Sequence, residues 1–431
     1  MKKNPNPVWY LNPRVVFVVT IILSIASFLI VPEEVFAEWS IYVMASPWVL
    51  AEIFAICVGG FLLGSMLPVG KASNDPGNDE ASGYRALAYV KLLNVLGGIA
   101  LFVTIVALLA TGGLGAVLDS MHARNRTISI EGLTTFSHAS TAAMILGVCI
   151  RTRFLANLRI RKASNVAIVI AAALCTGRSV LAGERVAILI PTVGAVFSWL
   201  LLGKVPLRAS IVFRFALLIL FVGGVFIASE RLRSFAIKQE KEGLDQSLID
   251  YSLDRFARYY ALSVNAGAGR YMLFKNEQCS DPLFWQSVYP MAKMMSIANV
   301  ALVWFPSNTP PKELLESSGM YNPEFTNTWG FAAPLSEHPL WGFLYWGMWG
   351  AYLQRLYRLA LRGEIGLMQA AAFGLGLVGI VEAGRVNMLG GIHIQLPLVL
   401  LMLRSDSVPR IQSAAANRPG LNPSPVHSPA R

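Results

Sequence analysis

The chain alternates between long apolar segments and short polar ones over most of its length. Ten apolar segments approach the roughly 20 residues that a helix needs to cross a hydrocarbon core of roughly 30 Å. In the second segment, Gly60 and Gly64 form a small-xxx-small pattern, which predicts close packing against another helix. The pattern predicts about ten transmembrane helices, near residues 15–31, 49–69, 88–110, 134–150, 164–176, 186–202, 211–228, 340–356, 367–381 and 387–403.

Two regions break this pattern. About 100 residues between the seventh and eighth segments contain scattered aromatic and charged residues, and we expect one large, partly helical loop there. The last residues are rich in Pro, Ser, Asn and Ala, a composition that cannot bury a core, so we expect a disordered cytoplasmic tail. The predicted organisation is a bundle of about seven helices, the large loop, the C-terminal helices and the tail, at residues 1–228, 229–339, 340–404 and 405–431.

The composition agrees with a membrane protein. Hydrophobic residues make up 55% of the 431 residues and charged residues only 14%, and the mean hydropathy is +0.53. Soluble proteins carry about 25% charged residues, so this chain has too few polar side chains to cover a water-soluble surface. We therefore predict an all-α integral membrane protein that is surrounded by a lipid bilayer.

The distribution of Lys and Arg predicts the orientation, because basic short loops remain in the cytoplasm. Lys2, Lys3 and Arg14 precede or begin the first segment, and residues 151–162 form the most basic short loop. The loop after the first segment instead has three Glu and no basic residue. Counting spans from these loops places both termini in the cytoplasm and the large loop outside.

Several classes of function do not fit the sequence. The net charge of +11 comes mostly from loops predicted to be cytoplasmic, where it suits contact with anionic lipids. No basic stripe with interleaved aromatic residues indicates nucleic-acid binding. The four cysteines lack metal-ligand spacing, and the sequence has neither a Walker motif nor HExxH. An ATP-driven pump and a zinc protease are therefore poor fits.

The segment TGRSVLAGERVAI, residues 176–188, places charged residues between two apolar segments on the predicted outer side. If it is helical, Arg178 and Arg185 lie on one face about two turns apart. The planar guanidinium of Arg matches phosphate oxygens in bidentate fashion, which suits a lipid-linked phosphate or diphosphate. The alternative is structural, with Glu184 in an ion pair with either Arg, or with side chains that extend to the membrane interface.

Two further groups of charged residues fall on the same predicted side. Glu382 and Arg385 are three residues apart at the end of the ninth segment, and thus share a face if the helix continues. The third group lies in the large loop and comprises Arg255, Arg258, Tyr259, Tyr260 and Asn265. Arginines that only anchor a protein are usually cytoplasmic, so three outer groups predict a site for an anionic ligand. The loop aromatics could in addition pack against sugar rings.

These motifs and their order resemble the bacterial oligosaccharide repeat-unit polymerases, often called O-antigen polymerases. TGRSVLAGERVAIL followed by a large outer loop with RFARYYALSVNAG is similar to the family pattern. So are residues 321–358, which lead from the loop into the next span, and VEAGRVNML near the end. The resemblance covers roughly residues 171–389, and the first four spans match only in hydropathy.

The resemblance implies glycosyl transfer at the periplasmic face of a bacterial inner membrane. A growing glycan would move from undecaprenyl diphosphate to the non-reducing end of a new lipid-linked repeat unit. Arg side chains would stabilise the leaving diphosphate, so neither a metal nor another cofactor is expected. Candidates for the general base are Glu337, His338 and Glu382. His338 is suggested by analogy with lipid-linked glycan ligases, and it could equally be an interfacial hydrogen-bonding residue.

Other functions fit parts of the pattern. An O-antigen ligase shares the membrane architecture and the lipid donor but transfers the glycan onto lipid A core. A secondary transporter or flippase would be expected to show inverted repeats with broken helices at mid-membrane, and no internal repeat is found. A purely structural scaffold would not depend on the outer arginines. The polymerase family works beside a flippase and a chain-length regulator, which are therefore the implied protein partners.

Overall fold

The computed structural model describes most of the bundle and parts of the large loop. The described residues are 8–38, 41–43, 45–68, 80–121, 136–182, 185–206, 208–231, 235, 247–275, 329–335, 338–389 and 392–403. Glu184, Glu337, residues 276–328 of the large loop and the predicted tail lie outside these ranges. All regular secondary structure within them is helical.

Twelve α-helices occur in the described ranges. They are α1 Pro13–Leu29, α2 Glu33–Glu38, α3 Pro47–Met66, α4 Glu80–Met121, α5 Ala139–Arg153, α6 Leu158–Ala182, α7 Val186–Leu202, α8 Ala209–Glu230, α9 Leu248–Lys275, α10 Pro339–Arg362, α11 Leu367–Glu382 and α12 Ile392–Leu403. Each of the ten predicted apolar segments overlaps one of these helices, although α12 begins five residues after the predicted start of the tenth segment. The two additional helices are α2, which follows the first segment, and α9, which belongs to the large loop.

Hydropathy and length identify a helical membrane protein. Among the described residues, three helices are long and apolar enough to cross a membrane, at Pro47–Met66, Glu80–Ala110 and Leu158–Leu181. Four shorter helices are also apolar, at Pro13–Leu29, Val186–Leu202, Leu367–Glu382 and His393–Leu403. Large apolar side chains on α4 and α6 are exposed, for example Phe102 and Val169. Such surfaces suit contact with lipid chains rather than with water.

Local sequence signals set several helix ends. Asn12, Ser46 and His338 each precede a proline, and their side chains accept hydrogen bonds from the first backbone N–H groups of α1, α3 and α10. Pro suits this first helical position because its missing N–H would have no partner within the helix. At the other end of α10, Gly363 adopts the left-handed conformation with φ of +80°, which commonly terminates helices.

The predicted close helix packing is present between α3 and α10. A Cβ atom added at Gly60 would meet the carbonyl of Phe343, and one added at Gly64 would meet the carbonyl of Gly347. Gly350 is likewise pressed against the backbone of Phe61. Residue numbers increase together in both helices, so α3 and α10 are parallel. If successive spans cross the membrane in alternating directions, the second and eighth predicted spans run in the same direction, as α3 and α10 do.

Helices α7 and α11 pack in the opposite sense. The hydroxyl of Ser198 donates a hydrogen bond of 3.0 Å to the carbonyl of Ala370. A Cβ added at Gly374 would meet the carbonyl of Gly194, which lies one turn earlier in α7. The two helices are therefore antiparallel, as the sixth and ninth predicted spans would be. The N-terminus of α7 and the C-terminus of α11 therefore lie at the same end of the bundle.

Helix α9 runs across that end of the bundle. Near its C-terminus, Lys275 forms an ion pair of 2.8 Å with Glu52, close to the N-terminal end of α3. Near its N-terminal half, Phe256 contacts Phe226 close to the C-terminal end of α8, with ring centroids 5.5 Å apart. Between these contacts, Ala261 and Val264 are completely buried. This helix, in a loop that was predicted to be partly helical, is thus integrated into the core.

A buried segment before α10 forms hydrogen bonds that connect α9 to the rest of the bundle. Residues 329–335 precede α10 and include the 3₁₀ helix Ala333–Leu335. Trp329 is completely buried. Its backbone N–H donates to Ser263 of α9 at 2.9 Å, and its indole N–H donates to Ser24 of α1 at 3.1 Å. These two hydrogen bonds connect the middle of α9 to α1 through Trp329.

Candidate functional site

Three arginines from three separate parts of the chain surround the ring of Tyr259. The guanidinium carbons of Arg185, Arg255 and Arg385 lie 5.3, 5.9 and 5.7 Å from the ring centroid. We call these residues, together with Phe226 and Glu382, the arginine–tyrosine cluster. One arginine comes from each of the three charged groups that the sequence predicted on the outer side. The predicted convergence of these groups is therefore present in the structure.

Arg185 is the N-cap residue of α7 and contacts two aromatic rings that also contact each other. Its guanidinium carbon is 4.2 Å from the ring centroid of Phe226 in α8. Its Nη2 donates a hydrogen bond of 3.2 Å to the hydroxyl of Tyr259 in α9. The electron-rich ring faces attract the cation, and the hydrogen bond fixes its plane. The side chain is therefore oriented before any ligand arrives.

Arg385 lies in a turn just beyond the end of α11. Its Nη2 donates a hydrogen bond of 2.9 Å to the carboxylate of Glu382, and both side chains are mostly buried. Helix α11 ends at Glu382, so the predicted shared helical face does not extend to Arg385. A turn at this position nevertheless brings the two side chains together, because the N–H of Arg385 bonds to the carbonyl of Glu382 at 2.9 Å.

Tyr260 borders the cluster next to Glu382 and Arg385. Burial and the nearby negative charge of Glu382 raise the pKa of Tyr260 from 10.0 to about 12, and Arg385 opposes this shift. Both main causes disfavour a phenolate. The hydroxyl of Tyr260 therefore keeps its proton at neutral pH and remains a hydrogen-bond donor beside the arginines.

Arg255 and Arg258 occupy different environments on α9, although both were predicted to bind a ligand. Arg255 is buried, and its Nη1 donates a hydrogen bond of 3.1 Å to the hydroxyl of Tyr251. Arg258 forms an ion pair of 2.8 Å with Asp254, and about a third of each side chain is exposed. Exposed pairs of this kind contribute little to stability. Arg255 belongs to the cluster, whereas the described ion pair of Arg258 lies along the helix.

The electrostatics of the cluster favour an anion. Guanidinium groups stay charged at any physiological pH, and three of them lie within about 6 Å of one ring. The carboxylate of Glu382 pairs with one of these guanidinium groups, that of Arg385. Like charges held this close repel one another, and water screens them poorly where they are partly buried. A ligand with two or more negative charges would relieve that repulsion.

Arg178 is not part of the same helical face as Arg185. Helix α6 ends at Ala182 and α7 begins at Val186, so the continuous helix on which that prediction depended is interrupted. Nη1 of Arg178 donates a hydrogen bond of 2.7 Å to the hydroxyl of Ser137. The adjacent His138 lies 4.5 Å from the ring of His393 in α12. Arg178 thus belongs to a second polar group between α5, α6 and α12.

His338 lies far from the cluster. Its Nδ1 accepts a hydrogen bond of 3.2 Å from the backbone N–H of Leu340, and its ring is 6.1 Å from that of Phe274. Phe274 follows Tyr260 by 14 residues in α9, which corresponds to about 21 Å along the helix axis. In the structure His338 caps the N-terminus of α10. This position does not support the prediction that His338 is a general base beside the arginines.

Asn265 serves the fold rather than an open site. The side chain is completely buried in α9. Its Nδ2 donates a hydrogen bond of 2.7 Å to the carbonyl of Tyr42, and its Oδ1 accepts one of 3.1 Å from the N–H of Ala45. The amide therefore ties α9 to the segment before α3. The prediction that Asn265 belongs to the ligand-binding group does not fit this position.

Two contributions to the cluster were missed in the sequence. Phe226 provides the ring beneath Arg185, but it lies in an apolar segment where it looks like any lipid-facing residue. Tyr251 orients Arg255 from one turn earlier in α9. The i, i+4 spacing of Tyr251 and Arg255 on a helix was a usable signal, whereas nothing in the local sequence around Phe226 indicated its partner.

The described residues contain no group of three or more His, Cys, Asp or Glu side chains that could hold a metal ion. What the cluster offers instead is hydrogen-bond donors, positive charge and aromatic faces. No protein-family model matches the chain, and comparisons with curated proteins and with solved structures found no significant match.

Proposed function

We propose that the protein is a polymerase of lipid-linked oligosaccharide repeat units, as its resemblance to the O-antigen polymerases implies. The observation that carries this proposal is the arrangement of Arg185, Arg255 and Arg385 around Tyr259. A diphosphate has the charge and the oxygen geometry that several guanidinium groups bind together. Tyr259 and Phe226 hold the arginines in place and offer apolar faces next to them.

The proposed reaction needs no cofactor. A hydroxyl at the non-reducing end of the acceptor attacks the anomeric carbon of the donor glycan, and the bond from that carbon to the diphosphate oxygen breaks. The electron pair of that bond remains on undecaprenyl diphosphate, and the acceptor proton passes to a base or to water. Guanidinium groups that are already oriented stabilise the negative charge that develops on the leaving oxygen. Glu382 is the candidate base that lies in the cluster, and its described partner is Arg385.

The proposal also includes the position in the membrane. Ten helices would cross the inner membrane, both termini would be cytoplasmic, and the cluster would lie at the periplasmic face. The parallel packing of α3 with α10 and the antiparallel packing of α7 with α11 support this alternation. A flippase that delivers repeat units and a chain-length regulator are the implied partners.

Accessibility of single cysteines tests the orientation. In a variant without the native cysteines, a cysteine introduced in the 151–162 loop should resist a membrane-impermeant thiol reagent in intact cells. A cysteine introduced at Ala257 of α9 should react, because this position is exposed on the predicted outer side. Labelling of both positions after membrane disruption is the control. The reverse pattern in intact cells would place the cluster in the cytoplasm and contradict the proposal.

The glycolipids of a deletion strain test the reaction. Loss of a polymerase should leave single repeat units on the surface acceptor, because translocation and ligation remain intact. Gel sizing of glycolipid from a deletion strain and from a complemented strain measures this directly. Long glycan that accumulates on the lipid carrier would instead indicate an O-antigen ligase. Single carrier-linked units retained inside the cell would indicate a flippase-type transporter, and either result would overturn the polymerase proposal.

A further inference from the structure

The first half of α9 carries an exposed apolar stripe. Ile249, Leu253 and Phe256 are 59, 61 and 46% exposed. Their spacing of four and three residues places them on one face of the helix. Asp254, Arg255 and Arg258 lie toward the other side of the same helix. We refer to Ile249, Leu253 and Phe256 as the apolar stripe.

The apolar stripe leads directly into the arginine–tyrosine cluster. The ring of Phe256 lies 5.5 Å from that of Phe226 in an edge-to-face arrangement, and 4.9 Å from that of Tyr260. The ring of Phe226 also contacts the guanidinium of Arg185, whose central carbon is 4.2 Å from the ring centroid. One end of the exposed apolar surface is therefore separated from the guanidinium of Arg185 by a single ring, that of Phe226.

The length and shape of the apolar stripe suit a single chain. From Ile249 to Phe256 the helix rises about 10 Å, and the stripe is one side chain wide. A ligand with a diphosphate at one end and one long apolar chain would satisfy both surfaces at once. A bulk phospholipid has one phosphate and two chains, so it matches neither the three guanidinium groups nor the narrow stripe as well.

We infer that the apolar stripe binds the first isoprenoid units of a polyprenyl diphosphate whose diphosphate is held by the arginine–tyrosine cluster. This inference rests on the proposed function, because that function supplies a lipid diphosphate as donor. It goes further by assigning the chain of the lipid to α9 rather than to the surrounding bilayer. The apolar stripe then holds the lipid chain in one orientation, in which the diphosphate contacts Arg185 and Arg385.

A comparison of two soluble ligands tests the inference. The affinities of farnesyl diphosphate and inorganic diphosphate are measured by calorimetry with the full-length protein in nanodiscs. The wild-type protein should bind farnesyl diphosphate more tightly, because the chain adds apolar contacts. The double variant Leu253→Gln with Phe256→Gln should weaken farnesyl diphosphate binding about tenfold and leave inorganic diphosphate binding unchanged. Leu340→Gln places the same polar group on an exposed apolar position at the start of α10, away from the apolar stripe, and should change neither affinity.

The outcomes separate this inference from the proposed function. If inorganic diphosphate binds but farnesyl diphosphate gains nothing in the wild-type protein, the apolar stripe does not hold the chain and the inference fails alone. Equal effects of the double variant on both ligands would also overturn it. Displacement of farnesyl diphosphate by phosphatidylglycerol at an equal concentration would assign the stripe to bulk lipid. Failure of the wild-type protein to bind inorganic diphosphate would remove the proposed diphosphate site itself.

Discussion

Replacing both Arg185 and Arg385 with Lys is expected to lower the rate of glycan polymerisation by at least about a hundredfold. The positive charge is kept, but an ammonium group cannot reproduce the planar fork or the stacking on Phe226 and Tyr259. Much of the stabilisation of the leaving diphosphate would therefore be lost. The measurement is polymer length and amount from purified protein and lipid-linked repeat units, at matched protein concentrations.

Arg258→Lys is the matched control for this experiment. This variant is also an Arg-to-Lys substitution, at a position of α9 outside the cluster. Arg258 pairs with the partly exposed Asp254, and Lys can form the same ion pair. Near wild-type polymerisation is expected for this variant. Wild-type activity of the double variant would show that bidentate binding is not required. Loss of activity in Arg178→Lys alone would instead assign the anion site to the second polar group, beside Ser137.

Gly64→Ala is expected to destabilise the folded protein by about 3 kcal/mol, because the added methyl group would meet a backbone carbonyl. The carbonyl belongs to Gly347, and neither backbone can move without separating α3 from α10. Thermal unfolding of the purified protein in detergent, together with the yield of folded protein, measures the effect.

Gly98→Ala provides the comparison for this substitution. A Cβ at Gly98 meets a methyl carbon of Leu174 at 3.8 Å, which is an ordinary packing distance. Its unfolding temperature is expected to stay close to that of the wild-type protein. Equal unfolding temperatures for Gly64→Ala and Gly98→Ala would mean that α3 and α10 do not approach as closely as described.

The sequence alone was sufficient for features that depend on neighbouring residues. Apolar segments identified the ten helices because a helix in lipid needs a continuous run of apolar side chains. Asn12 and Ser46 before prolines, and the pair Gly60 and Gly64, are local signals for helix starts and for close packing. The balance of basic and acidic loops also predicted that three charged groups would share one side, and the structure brings one arginine of each group to Tyr259.

Only the tertiary structure decided which of the candidate residues meet. Arg178 and Arg185 are seven residues apart, yet a break between α6 and α7 places Arg178 beside Ser137 instead. His338 and Tyr260 belong to the same predicted loop, but His338 lies beside Phe274, which is about 21 Å from Tyr260 along the axis of α9. Phe226 joins the cluster through packing of α8 on α9. Contacts between distant segments depend on how whole helices pack, and this packing cannot be predicted from the residues next to each site.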